Sequence, residues 1–322
     1  MQNSYLVDKL AEKKIISEEQ AAQIKTSDST QPFSIHWELR LLLYLGIMLL
    51  STGLGFVIYE NIDTIGHNIL IGLVALVCVG CFYYAFSHRK PFSWEELEET
   101  TNLDDFALLG GCLAFLTLEG YLQYQYSFFG NRYGLAAFLP AVLFFFCAYY
   151  FDHRGVLSMA ITALASWIGI SITPLRLLKN NDFNSQDLVI TSISLGIVLI
   201  IVGWFSIQKS LKKHFGFTYF VFGGNLTFIA ALSGLFAFDL KVIYGIIVGI
   251  LAYLSIVYAR TKHSFLFLLM GVIYGYIAFT YTIFKILPDD IDPFLFMLYF
   301  VLSGTGVVIF LIKIKEIVGL KK

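Results

Sequence analysis

Residues 66–87 read GHNILIGLVALVCVGCFYYAFS, a run of 22 without Asp, Glu, Lys or Arg. An α-helix crosses the hydrocarbon core of a bilayer in about 20 residues, and a helix that is apolar all round needs an apolar surrounding. The same pattern recurs along the chain. Ten runs of spanning length stand between polar breaks, at about 40–59, 66–87, 105–125, 133–151, 155–173, 187–207, 216–237, 240–259, 264–286 and 293–312. The composition agrees: of 322 residues, 57% are hydrophobic and 14% charged, against roughly 25% charged in an ordinary soluble domain. The expected fold is all-α, a polytopic transmembrane helix bundle of about ten spans in the bilayer.

Lys and Arg number 22 against 23 Asp and Glu, so no basic excess points to nucleic acid. Their distribution reports topology instead. Seventeen Lys and Arg fall in the loops on the side of the N-terminus and five on the other, which predicts cytoplasmic N- and C-termini in the cytoplasmic membrane of a bacterium. The first forty residues lack the basic start and short apolar core of a cleaved signal peptide. The first apolar run, from Leu41, is then expected to act as its own insertion signal.

Two divisions are expected, a cytoplasmic N-terminal helical segment and linker over 1–34 and a transmembrane domain over 35–322. Within the first, Ser17 and Gln20 have the spacing of a capping box. TSDSTQPFS, 26–34, is a linker by composition. The acidic loop FSWEELEET, 92–100, reads as a second capped helix, with Ser93 and Glu96 in the same register. Residues 1–25 and the 93–100 loop are the candidate docking surfaces for a cytoplasmic partner, with a solvated charged face as the other reading of the loop.

Three stretches carry a resemblance: IISEEQAAQI (15–24), LGIMLLSTGLGFVIYEN (45–61) and FDHRGVLSMAITALASWIG (151–169). Together they resemble the bacterial multi-pass membrane family named domain of unknown function 2157 (DUF2157), over roughly the first half of the chain. Members tend to have an Asn-Trp pair leaving the first span, where this chain has Asn61 and Ile62. The resemblance implies a membrane protein and assigns no catalytic residue.

Glu119 is the conspicuous charge inside a run. Cys112, Phe115, Leu116, Glu119, Gln123 and Tyr126 recur at spacings of three and four and share one helical side. At about 1.5 Å per residue, Glu119 lies about 21 Å from the start of its span. An ionisable group in a span marks function by default. Glu119, with Gln123 a turn away and Asn225 of FGGNLT as polar partner from elsewhere, is therefore the candidate substrate or proton site. The alternative is that Glu119 is packed and paired, or reaches to the interface. Tyr149 and Tyr150 suit an interfacial belt.

Gly245 and Gly249, and Gly271 and Gly275, have the small-xxx-small spacing of closely packed helices. Antiparallel pairing is expected to bring Gly249 and Gly275 to one depth, so that Gly249→Leu would overpack the contact. The four cysteines, Cys78, Cys81, Cys112 and Cys147, all lie in apolar runs, and the CxxC they include lacks further His or Cys at zinc spacing. No cofactor and no metal are implied. HExxH, GxSxG and phosphate-binding glycine loops are absent from the sequence, so an enzyme is not expected.

Ten spans with both ends inside allow two sets of five related by inversion, a common transporter plan. LGIMLLSTG (45–53) and LGIVLIIVG (195–203) share Leu, Gly, Ile, Leu and Gly at identical spacing. The leading functional expectation is a transporter-like permease for a small solute. The alternative is a non-transport envelope, sensory or interaction protein.

Overall fold

The computed structural model describes residues 17, 19–21, 36–60, 66–96, 102–130, 132–172, 185–286 and 293–317. The rest of residues 1–25, the linker 26–34, the end of the acidic loop (97–100) and the Asn61 turn lie outside them. Ten long helices fall on the ten predicted runs. They are α1 (His36–Glu60), α2 (His67–Ser87), α3 (Asn102–Tyr126), α4 (Tyr133–Phe151), α5 (Arg154–Ile172), α6 (Gln186–Gln208), α7 (Phe215–Ala237), α8 (Lys241–Lys262), α9 (Phe265–Ile286) and α10 (Pro293–Ile317). Eight, α2 to α9, are long and apolar enough to cross a membrane, and in α10 the stretch Phe294–Gly306 is apolar. The protein is a multi-pass helical membrane protein.

The chain forms two compact units, Met1–Leu70 and Ile71–Lys322. In the first, the predicted capping box is present. The Ser17 N–H donates to Gln20 Oε1 at 3.0 Å and the Gln20 N–H to Ser17 Oγ at 3.2 Å. Each partner satisfies a donor that the helix itself leaves open.

The second unit has two apolar cores. One joins α6, α7, α8 and α9 around Phe228, Ala231, Val248 and Leu268. The other gathers α3, α4 and α5 around Cys112, Phe144, Ala148 and Leu157, and takes in Leu199 of α6 and Phe215 and Tyr219 of α7. Helix α7 serves both. Half of its spanning window is buried, against 17–33% for the other seven spans. Their remaining apolar faces are left to lipid, where the helix satisfies its own backbone.

The closest approach is α6 against α7. A Cβ at Gly196 would run into Thr227 Oγ1 and stand 2.7 Å from the Gly223 carbonyl oxygen. Gly46, its counterpart in the matching sequence segment, has nothing within 4 Å among the described residues. The likeness of those two segments therefore does not extend to what their glycines do.

Between α8 and α9 the structure corrects the expected register. A Cβ at Gly271 would stand 2.9 Å from the Ala252 carbonyl oxygen, and one at Gly275 3.4 Å from Ala252 Cβ. Among the described residues a Cβ at Gly249 meets nothing within 4 Å, and one at Gly245 only Leu235 at 3.9 Å. The cause is the short turn at His263, a left-handed cap (φ 52°) whose N–H returns to Ala259. Reflection across that turn sets Gly275 opposite Ala252 and Gly249 opposite Ala278. Gly245 and Gly249 line the flank of the seam, in a groove of about 610 Å³ that Gly275 and Ala278 also line. Gly249→Leu is therefore expected to be tolerated, whereas Gly271→Leu should cost roughly 1–3 kcal/mol by overpacking. Melting temperatures of the two purified variants decide this, and equal values would refute the register.

Candidate functional site

The residues that draw most buried charge together lie where α4 gives way to α5. Helix α4 stops because Asp152 turns left-handed (φ 60°), with its N–H returned to the Ala148 carbonyl. Arg154 already begins α5, so a tight turn carries three ionisable side chains in succession. Each finds a partner on a different segment.

Asp152 receives two side chains on one oxygen. Lys212 Nζ stands 2.9 Å from Asp152 Oδ1, and His214 Nε2 stands 2.6 Å from the same oxygen. All three side chains are nearly closed to solvent, at 5% exposure for Asp152, 0% for Lys212 and 6% for His214. Lys212 is also held by its backbone. It is left-handed (φ 51°), an uncommon state for a non-glycine residue. Its N–H donates to the Trp94 carbonyl at 2.9 Å, its own carbonyl accepts from Phe215 N at 2.8 Å and Ser206 Oγ at 3.1 Å, and its ammonium lies 5.3 Å from the Phe92 ring centre. The surrounding bonds over-determine the strained residue, as its persistence requires.

His153 caps α5, its Nδ1 accepting the Val156 N–H at 3.1 Å. That bond fixes the proton on Nε2, which lies 4.0 Å from Asp105 Oδ1 at the start of α3. Burial lowers the His153 pKa below the ordinary histidine value, against the opposing pull of Asp105 and Asp152. Arg154 pairs with Glu96. The expected Ser93–Glu96 capping box is therefore not made. Ser93 Oγ accepts the Glu95 N–H at 3.0 Å, and the Glu96 carboxylate goes to Arg154. The Asp-His-Arg turn thus fastens the 92–96 segment, the first turn of α3 and the 209–214 linker to one end of the helices.

Beside it opens a cavity of about 530 Å³ lined by Trp94, Glu95, Glu96, Ile207, Ser210, Lys213, His214, Phe217, Tyr258 and Lys262. His214 joins the two features. Its Nε2 is on Asp152, while its buried Nδ1 has no hydrogen-bond partner among the described residues.

The residues singled out in the sequence are not brought together. Glu119 is 6% exposed, and among the described residues neither carboxylate oxygen has a hydrogen-bond partner. Gln123 closes the turn after α3, donating from Nε2 to the Gly130 carbonyl at 3.2 Å and accepting the Phe129 N–H on Oε1 at 2.8 Å. Asn225 is not the partner of Glu119. Its Nδ2 donates to the Val221 carbonyl at 2.8 Å and its Oδ1 accepts from Tyr274 OH at 2.8 Å. A hydroxyl on the adjacent α9 satisfies this amide, which therefore acts in helix pairing. Tyr149 likewise turns into the core, its hydroxyl 2.9 Å from that of Tyr219, while Tyr150 keeps an interfacial setting beneath Arg89, 5.7 Å from its ring centre.

Sequence reading missed Asp152, Lys212 and His214 as a group. The available signal was a run of three ionisable residues in a short inter-span turn, with a second basic cluster, KSLKKH, at another span end. Among the described residues no group of three or more His, Cys, Asp or Glu is placed to hold a metal ion. The four thiols are free, and Cys78 Sγ donates to the Gly111 carbonyl at 3.7 Å where α2 and α3 pack.

No curated protein and no solved structure matches the chain. Residues 8–157, a stretch that runs through the Asp-His-Arg turn, match the family described as predicted membrane protein (DUF2157), and over that stretch the chain carries the sequence of the family it resembles.

Proposed function

We propose that this is a non-transport protein of the bacterial cytoplasmic membrane, an interaction or sensory protein without enzymatic activity. The observation that carries this reading is the buried Asp152–Lys212–His214 group and the segments it ties down. Buried charge is costly and adds little net stability over apolar packing. Its place at the end of the helices, tying three segments together, supports a role in holding a defined surface there. The excess of Lys and Arg assigns this end to the cytoplasm together with both termini, with α1 and α10 as the remaining two spans. Residues 1–25 and the 93–100 loop then face a cytoplasmic partner.

The orientation is tested by cysteine labelling. A cysteine at position 182 is expected to react with an impermeant maleimide added from outside, and tags at both termini to stay protected. Labelling at 182 only after the inner face is opened would reverse the assignment.

A second reading, a permease, is favoured by Glu119, whose buried carboxylate has no hydrogen-bond partner among the described residues. Proteoliposomes carrying a pH-sensitive dye, challenged with proton and sodium gradients and a panel of small solutes, separate the two. The proposal predicts no flux above empty liposomes and no difference between wild type and Glu119→Gln. A solute-dependent flux that Glu119→Gln abolishes would replace it with the permease.

A further inference from the structure

The cavity beside His214 lies at the level where helices end and begin. Ile207 belongs to the last turn of α6, Phe217 to the first turn of α7, and Tyr258 and Lys262 to the last two turns of α8. In a chain whose α6, α7 and α8 are spans, that level is the boundary between hydrocarbon and headgroups.

We propose that this cavity binds the phosphate of an anionic phospholipid, with an acyl chain running down the face of α8 that carries Tyr258 and Leu254.

Three observations bear on the occupant. The first is charge. Lys213 and Lys262 line the cavity with the carboxylates Glu95 and Glu96, but Glu96 is committed to Arg154. Two ammonium groups then face one remaining carboxylate, and a phosphate restores the balance. The second is the buried Nδ1 of His214, without a partner among the described residues. With Nε2 already on the Asp152 carboxylate at 2.6 Å, Nδ1 is the ring nitrogen left to meet a polar group that enters the cavity. The third is the path leading away. Residues 254, 258 and 262 recur every four positions and share one face of α8. Along it the side chains change from ammonium (Lys262) and phenol (Tyr258), which line the cavity, to an exposed aliphatic group beyond it (Leu254, 53% exposed). Trp94 and Phe217, 50% and 45% exposed, flank the same opening. That order of groups matches an amphiphile lying across the interface. A soluble phosphate would use the cations and leave the aromatic and aliphatic path uncovered. The inference goes beyond the interaction reading and does not depend on it.

The test uses the full chain in detergent, incubated with dioleoylphosphatidylglycerol or dioleoylphosphatidylcholine, with retained lipid read by native mass spectrometry. Phosphatidylglycerol is expected to be retained over phosphatidylcholine. K213Q and K262Q, at exposed positions and so compatible with folding, should each weaken that retention about fivefold, the contribution of one lysine near an anionic headgroup. An unchanged melting temperature confirms the fold of each variant. K241Q/K285Q removes two charges from the opposite ends of α8 and α9 and should leave retention as it is. Equal retention of the two lipids, or equal loss in K241Q/K285Q, would overturn the site. Displacement of phosphatidylglycerol by millimolar inorganic phosphate would overturn the lipid as its source.

Discussion

Asp152→Ala is expected to remove most of the folded population. The substitution leaves Lys212, which has no solvent exposure, as a buried ammonium without its counter-ion. Breaking a buried pair from one side costs about 3–5 kcal/mol, a large part of the roughly 5–15 kcal/mol that holds a domain together. The distinguishing result is the rescue. Asp152→Leu/Lys212→Met removes both charges, and apolar replacement of a buried pair is often neutral. The double variant should therefore melt well above Asp152→Ala, although it carries more changes. Lys212→Met alone should lie between them, because His214 remains on Asp152. Thermal unfolding in detergent, followed by light scattering and tryptophan fluorescence, orders the four proteins. An Asp152→Ala protein that melts with wild type would show that the pair is not closed to water, and the surface role built on it would fall.

Gly196→Val is expected to be comparably damaging by a different route. The obstacle is the Gly223 carbonyl and the start of the Thr227 side chain, so no rotamer change relieves it. Thr227 Oγ1 is itself fixed, donating to the Gly223 carbonyl at 2.7 Å. Helices α6 and α7 must separate, and α7 is the helix that both cores share. Overpacking costs typically about 1–3 kcal/mol and occasionally more. Separation of the central pair should put this variant at the upper end, with monodisperse yield falling well below that of Gly249→Leu. Yields read by fluorescence-detected size exclusion compare them directly. A Gly196→Val protein as monodisperse as Gly249→Leu would mean that α6 and α7 do not meet at this point.

The helices were legible because membrane length and hydrophobicity are local properties. Ten runs marked from composition coincide with ten helices, and Ser17 with Gln20 announced a capping box that the structure makes. Packing was legible only in part. Small-residue spacing pointed to the α8–α9 seam, yet the partner of Gly275 is Ala252, because register depends on how tightly the His263 turn closes. The candidate site was the least legible. Glu119 announced itself as a charge in an apolar run and is buried, but Asp152, Lys212 and His214 read as ordinary polar residues at span ends. Their meeting depends on which linkers share one end of the helices, and no periodicity within a helix encodes that.

The separation in sequence of the Asp152 pair sets an order on biosynthesis. His214 follows Asp152 by 62 positions, so at about 5–20 residues per second the carboxylate leaves the ribosome several seconds before its partners. Through that interval α4 and α5 are already made, and the turn between them carries a charge that must remain hydrated. Only when the 209–214 linker emerges and α7 inserts can Asp152 leave water, and the same event brings Phe215 and Tyr219 into the core of α3, α4 and α5. Enclosure of the turn is thus a molecular record that synthesis has passed α7. A chain halted earlier displays an aqueous carboxylate and an unfinished core.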